Sequence, residues 1–286
     1  QLVTINAATT GAIVLSTADG ALTGTAANII LAFAGTVTEH TGTVTVTDAA
    51  TVAQFNTINA ETTQNVVLTG GVSDAAAAYA ATDGTTTAGL TAIAAQDGDV
   101  AITVSDAPTA LQLVTINAAT TGAIVLSTAS GALSGTAANL VLAFAGTVTT
   151  HTGAVTISNA PTVTQLVTIN AATTGAIVLS TADGALTGTA ANIILAFAGT
   201  VTEHTGTVTV TDAATVAQFN TINAETTQNV VLTGGVSDAA AAYAATDGTT
   251  TAGLTAIAAQ DGDVAITVSD APTALQLVTI NAATTG

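Results

Sequence analysis

The stretch TVTVTDAATVAQFNTINAETTQNVVLT, residues 43–69, alternates β-branched and polar residues, changes its period, and then turns apolar again. Residues 43–47 repeat every two positions, the pattern of a half-buried strand. From Val52, apolar side chains return three apart at Phe55 and Ile58, as they do on one face of a helix. NVVLT, 65–69, is strand-like again, and Val44 and Val66 stand 22 residues apart. A strand, a helical crossover and another strand within that length read as a parallel βα unit, because parallel strands need a crossover of a dozen residues or more.

The same grammar fills the chain. TINAATTG occurs at 4–11, 115–122, 168–175 and 279–286, and its near-copy TINAETTQ at 57–64 and 221–228. Residues 165–286 are identical to 1–122, a period of 164 that holds three related units, 1–53, 54–111 and 112–164; the second pass supplies 165–217, 218–275 and the partial 276–286. The 286 residues therefore read as one continuous repeat array, and residue 1 falls inside a repeat, as in an interior piece of a longer chain.

AITVS (101–105), AIVLS (123–127) and AVTIS (154–158) are further strand-like runs. Val66 to Ile102 is 36 residues, Ile102 to Ile124 is 22 and Ile124 to Val155 is 31, giving six coils per period. The fold class expected is α/β, a repeat solenoid of stacked parallel strands and short helical crossovers. Thr and Asn are poor helix formers, so an all-β parallel β-helix is the alternative. Asp106 with Pro108, and Asn159 with Pro161, read as caps for the helices that follow them, and Gly122 and Gly175 as helix stops. SDAAAAYAA (73–81) and GTAANIILAFAG (24–35) read as further crossovers. Ile5, Ile58, Ile116 and Ile169 are expected in the core. Asn6, Asn59, Asn117, Asn170, Asn223 and Asn281 are expected to stack in a structural column that satisfies open backbone groups.

Composition narrows the function. The chain has no Lys, Arg, Cys, Met or Trp and a formal net charge of -18, so it lacks the cations that nucleic acid or anionic lipid would require. AANIILAFAG, 26–35, is too short to insert across a membrane. Apolar residues make up 49%, enough to fold. Without Lys or Arg there is no trypsin-type cleavage site, and without Cys, Met or Trp there is little to oxidise.

Catalytic groups are few. His40, His151 and His204 share the loop phrase T-x-H-T-G and read as surface residues; no P-loop, HExxH or GxSxG is present, and no enzyme is expected. No cofactor is expected beyond calcium, whose candidate ligands are Asp97 and Asp99 in QDGDV with their copies Asp261 and Asp263. The calcium nonapeptide G-G-x-G-x-D is missing, so a plain turn is the preferred reading there. Asp19, Glu39 and Asp48 become Ser130, Thr150 and Asn159 in the third unit, and no carboxylate occurs from 107 to 182. Charged and neutral bands therefore alternate, and the neutral ones would permit side-by-side packing.

VTDAATVAQFNTINAETT (46–63), VSDAPTALQLVTINAATTG (104–122) and GTAANIIL (24–31) resemble the Ala/Thr/Asp-rich repeats of very large secreted bacterial surface proteins, adhesins and haemolysin-like proteins of cyanobacterial type. The resemblance implies an extracellular or cell-surface location. The function expected is a structural one, a filament, sheath or surface layer whose partner is another copy, head to tail or laterally. An adhesin stalk or calcium-responsive spacer bearing a separate head is the alternative.

Overall fold

A computed structural model describes residues 1–286. The fold is α/β, with short parallel strand groups alternating with helices, and the chain divides into two compact units, 1–133 with 142–152, and 134–141 with 153–286. No helix is long and apolar enough to cross a membrane.

In the first unit the order is α1 (Leu2–Ala8), β1 (Leu22–Gly24), α2 (Ala26–Phe33), β2 (Val44–Val46), α3 (Val52–Asn59), β3 (Val66–Leu68), β4 (Val72–Asp74), α4 (Ala76–Tyr79), α5 (Ala88–Gln96), β5 (Ile102–Val104), α6 (Ala110–Ala119) and β6 (Ile124–Leu126). β1, β2 and β3 form one parallel sheet and β4, β5 and β6 another, with Val44 opposite Val66 and Ile102 opposite Ile124. The all-β alternative is thus corrected: the TIN phrase is helical in α3 and α6, where Phe55, Ile58, Leu113 and Ile116 are fully buried.

The longer spacings resolve differently from the expectation. Val66 does not pair with Ile102; β4, hidden within the 36-residue step, puts Val72 opposite Ile102 instead. Gly71 makes this possible: its φ is +75°, and a Cβ there would lie 2.6 Å from Ala101 O. The freed edge of β3 is closed by side chains, Val66 N donating to Gln96 Oε1 at 3.1 Å and Leu68 N to Asp97 Oδ2 at 2.8 Å. An open strand edge is a template for further pairing, and these two acceptors occupy it.

The second unit carries β7 (Leu133–Gly135), α7 (Ala137–Ala143), β8 (Val155–Ile157), α8 (Val163–Ala172), β9 (Ile177–Leu179), β10 (Leu186–Gly188), α9 (Ala190–Ala196), β11 (Val208–Val210), α10 (Val216–Asn223), β12 (Val230–Leu232), β13 (Val236–Asp238), α11 (Ala240–Tyr243), α12 (Ala252–Gln260), β14 (Ile266–Val268) and α13 (Ala274–Ala283), all but the ends of β7 and α7 lying in it. Its sheets, β7–β8–β9, β10–β11–β12 and β13–β14, repeat the scheme.

Capping is where sequence and structure part most clearly. The helix after Asp106 and Pro108 is capped by Thr109, in a box with Gln112, and the one after Asn159 by Thr162 with Gln165. Asp106 instead accepts from Ala76 N at 2.7 Å, and Asn159 from Ala137 N at 2.8 Å, each capping the helix of the layer before. Asp48 does the same for Ala26 N at 2.7 Å and Asp74 for Val52 N at 3.1 Å. The first N–H of a helix has no partner of its own, so an acceptor 22 or 30 residues later completes it. Asp106→Ala should cost about 1 kcal/mol. Hydrogen exchange should accelerate at Ala76 and not within α6; acceleration confined to α6 would contradict the cross-layer cap.

The glycine stop is corrected as well. α6 ends at Ala119, with Thr120 extended (φ -138°), and the Thr120 hydroxyl donates to Val100 O at 2.6 Å while accepting from Gly122 N at 2.9 Å. Gly122 is required by contact: a Cβ would stand 2.3 Å from both Asp99 O and Val100 O.

Candidate functional site

The three histidines are core residues, against the surface reading. His40, His151 and His204 are 4%, 3% and 2% exposed. Their Nε2 atoms lie 2.8, 2.8 and 2.7 Å from Gly20 O, Gly131 O and Gly184 O. A carbonyl only accepts, so Nε2 carries the proton and donates. The rings tilt against Phe33, Phe144 and Phe197 at 5.7, 5.8 and 5.8 Å between centroids. Nδ1 of His40 and His204 is buried and takes no hydrogen bond. A base needs a lone pair within reach of its substrate, and these are sealed from it. The signal for burial was present in the sequence, since Phe precedes His by seven residues in all three copies.

The asparagines do not act as one column. Asn6, Asn117 and Asn170 send Nδ2 to the helix-end carbonyls of the following layer: Leu31 and Ala34, Leu142 and Ala145, and Leu195, Ala196 and Ala198. They satisfy open backbone groups as expected, but across one helix end at a time. Asn59 and Asn223 are the last residues of α3 and α10, where the following layer carries the different helix α5 or α12; Asn223 Oδ1 is buried without a partner. Asn281 lies exposed on α13. Of the isoleucines, Ile58, Ile116 and Ile169 are fully buried and Ile5 is 52% exposed.

Asp97 and Asp99 are close enough to interact, and so are Asp261 and Asp263. Asp97 ends α5, and its carboxylate holds the Leu68 N–H; Asp261 holds Leu232 N at 2.8 Å. No three His, Asp or Glu side chains converge anywhere in the chain. Partial burial, then the neighbouring Asp99, raise the Asp97 pKa above the ordinary carboxylate range, and the same holds for Asp261 beside Asp263. A raised folded-state pKa means the folded chain binds the extra proton, so stability from this group is lost as pH rises through that window and regained on acidification. Asp99→Asn, which removes the repulsion and supplies a donor, should raise the melting temperature at pH 7 by roughly 1–2 °C. The gain should vanish near pH 3, where Asp97 is already protonated; a gain that persisted there would contradict the repulsive pair.

Two other polar features are structural. Tyr79 is fully buried and donates to Thr103 O at 3.1 Å; burial and then Asp74 push its pKa up, as burial and Asp238 push Tyr243 up to about 12. The hairpin around Ala80 and Thr86 is pinned to α6 by Gln112 Nε2 on Ala80 O and Thr115 Oγ1 on Gly84 O. At its exposed tip Asp83 accepts from Thr85 N, which holds its carboxyl below the usual range.

No family model, curated protein or solved structure is detectably similar to this chain.

Proposed function

We propose that the chain is a structural protein, a solenoid of stacked repeats that builds an extracellular filament, sheath or surface layer. The observation that carries this reading is the cross-layer cap. Four helices, α2, α3, α4 and α7, take the acceptor for their first N–H from the layer that follows, at Asp48, Asp74, Asp106 and Asn159, so these layers are chemically complete only with that neighbour in place. Exact repetition over 122 residues supports a role that depends on the number of layers rather than on any individual site. The buried, carbonyl-bound histidines favour a scaffold over an enzyme.

The Asp97–Asp99 pair favours one second reading, a calcium-responsive spacer in an adhesin stalk. Light scattering and negative-stain imaging of the purified chain in EDTA separate the two. Concentration-dependent assembly indifferent to EDTA is expected for the structural protein. Assembly or thermal stabilisation only on adding calcium would overturn it in favour of the spacer.

A further inference from the structure

Two buried polar atoms of the second unit have no partner in the chain. Nδ1 of His204 and the hydroxyl oxygen of Thr181 are both shut off from solvent and make no hydrogen bond, to each other or to any other group. His204 is 2% exposed, and its Nε2 gives its proton to Gly184 O at 2.7 Å, so Nδ1 presents a lone pair that can only accept. The same nitrogen of His40 is buried and unpartnered in the first unit. A buried polar group without a hydrogen bond forfeits its hydration, and native folds leave few of them.

Room for a partner is visible one repeat earlier. In the first unit Thr128 and His151 line a cavity of about 10 Å³ whose apolar walls include Pro108, Leu113, Leu126 and Leu133. About that volume is what a single water molecule needs. All six residues recur 53 positions later as Thr181, His204, Pro161, Leu166, Leu179 and Leu186, within the second unit. The framework recurs with them. His151 Nε2 lies 2.8 Å from Gly131 O, and Gly131 N closes the turn onto Thr128 O as Gly184 N does onto Thr181 O. The hydroxyl and the imidazole nitrogen therefore face one small hollow.

We infer that this hollow is a binding site for one ordered water molecule, held between the threonine hydroxyl and the histidine Nδ1 at Thr181 and His204 and repeated at Thr128 and His151. The water donates one hydrogen to Nδ1 and accepts the proton of the threonine hydroxyl, so each polar atom gains its bond. A metal ion would need several oxygen ligands or a second imidazole, whereas Pro108 and the three leucines offer only hydrocarbon. A dry hollow would leave both polar atoms of the second unit unpaired. Thr181 precedes His204 by 23 residues, so the water ties one layer to the turn before it, beside the direct bond from Nε2. The site stands whether or not the chain builds filaments.

Histidine-selective nitrogen-15 labelling of the full chain, which has three histidines, tests this in solution. The Nδ1 signal of His204 is expected upfield, where a hydrogen-bonded imidazole nitrogen resonates. Thr181→Val should move it downfield and leave His151 unchanged, Thr128→Val should do the reverse, and Thr181→Ser, which keeps the hydroxyl, should leave both in place. Thermal unfolding adds a test of sign. With water bound, Thr181→Val loses a hydrogen bond and should lower the melting temperature by roughly 2–4 °C; in a dry hollow the same change removes an unpaired hydroxyl and raises it. A crystal structure should place one water about 2.7–3.2 Å from both His204 Nδ1 and Thr181 Oγ1. A His204 signal indifferent to Thr181→Val, a higher melting temperature for that variant, or no water density between the two atoms where other buried waters are resolved would each overturn the proposal.

Discussion

Gly122→Ala should destabilise the chain by about 3 kcal/mol, whereas Gly11→Ala, in the same phrase TINAATTG, should change stability very little. A Cβ at Gly122 would lie 2.3 Å from the carbonyl oxygens of Asp99 and Val100, and backbone cannot rotate aside as the end of a side chain does. At Gly11 the nearest atom is the Thr9 hydroxyl at 3.4 Å, an ordinary contact. Thermal unfolding followed by circular dichroism reads the difference, roughly 5–10 °C between the two variants. Equal melting temperatures would show that the glycine ends a helix in both places rather than admitting the neighbouring layer in one.

Phe55→Ala should cost about 3–5 kcal/mol, and Phe219→Ala the same in the second copy. Both rings are fully buried, on α3 and α10, between Val52 and Ile58 or Val216 and Ile222 along the same helix face. Removing the ring leaves a void that surrounding backbone fills only in part, so the lost burial and the cavity add. Ile5→Ala is the control. Its side chain is 52% exposed, and the melting temperature should hardly move. A Phe55→Ala chain as stable as the parent would mean that α3 does not pack as described.

The parts of the fold legible in the sequence are those set by short-range periodicity. Val52, Phe55 and Ile58 gave α3 its face, and the 22-residue spacing gave the pairing of Val44 with Val66 and Ile102 with Ile124. Strands of three residues such as Val72–Asp74 have too little alternation to stand out beside the alanine-rich helix that follows. The own-helix caps are written locally, as TVAQ at 51–54, TALQ at 109–112 and TVTQ at 162–165, while Asp106 and Asn159, two residues before prolines, carry the same local cap signature without capping those helices. The bonds those residues make cross 22 or 30 positions, and no local pattern encodes an acceptor at that distance. Burial of His40 follows from the same kind of contact, with Gly20 as its partner. The carboxylates that stayed in the candidate site, Asp97 and Asp261, were visible as acidic pairs; their grip on Leu68 and Leu232 was not, since it depends on a strand edge that only the layering exposes.

The most direct test of stacked repeats as a structural material is its axial period, measured by electron cryomicroscopy of native assemblies. The six coils counted in each 164-residue period of the sequence, stacked at about 4.8 Å per strand as the proposed filament requires, give about 29 Å. Continuous filaments with that repeat are the expected result. Short isolated rods, each ending in a distinct head and never joined into a filament, would contradict it.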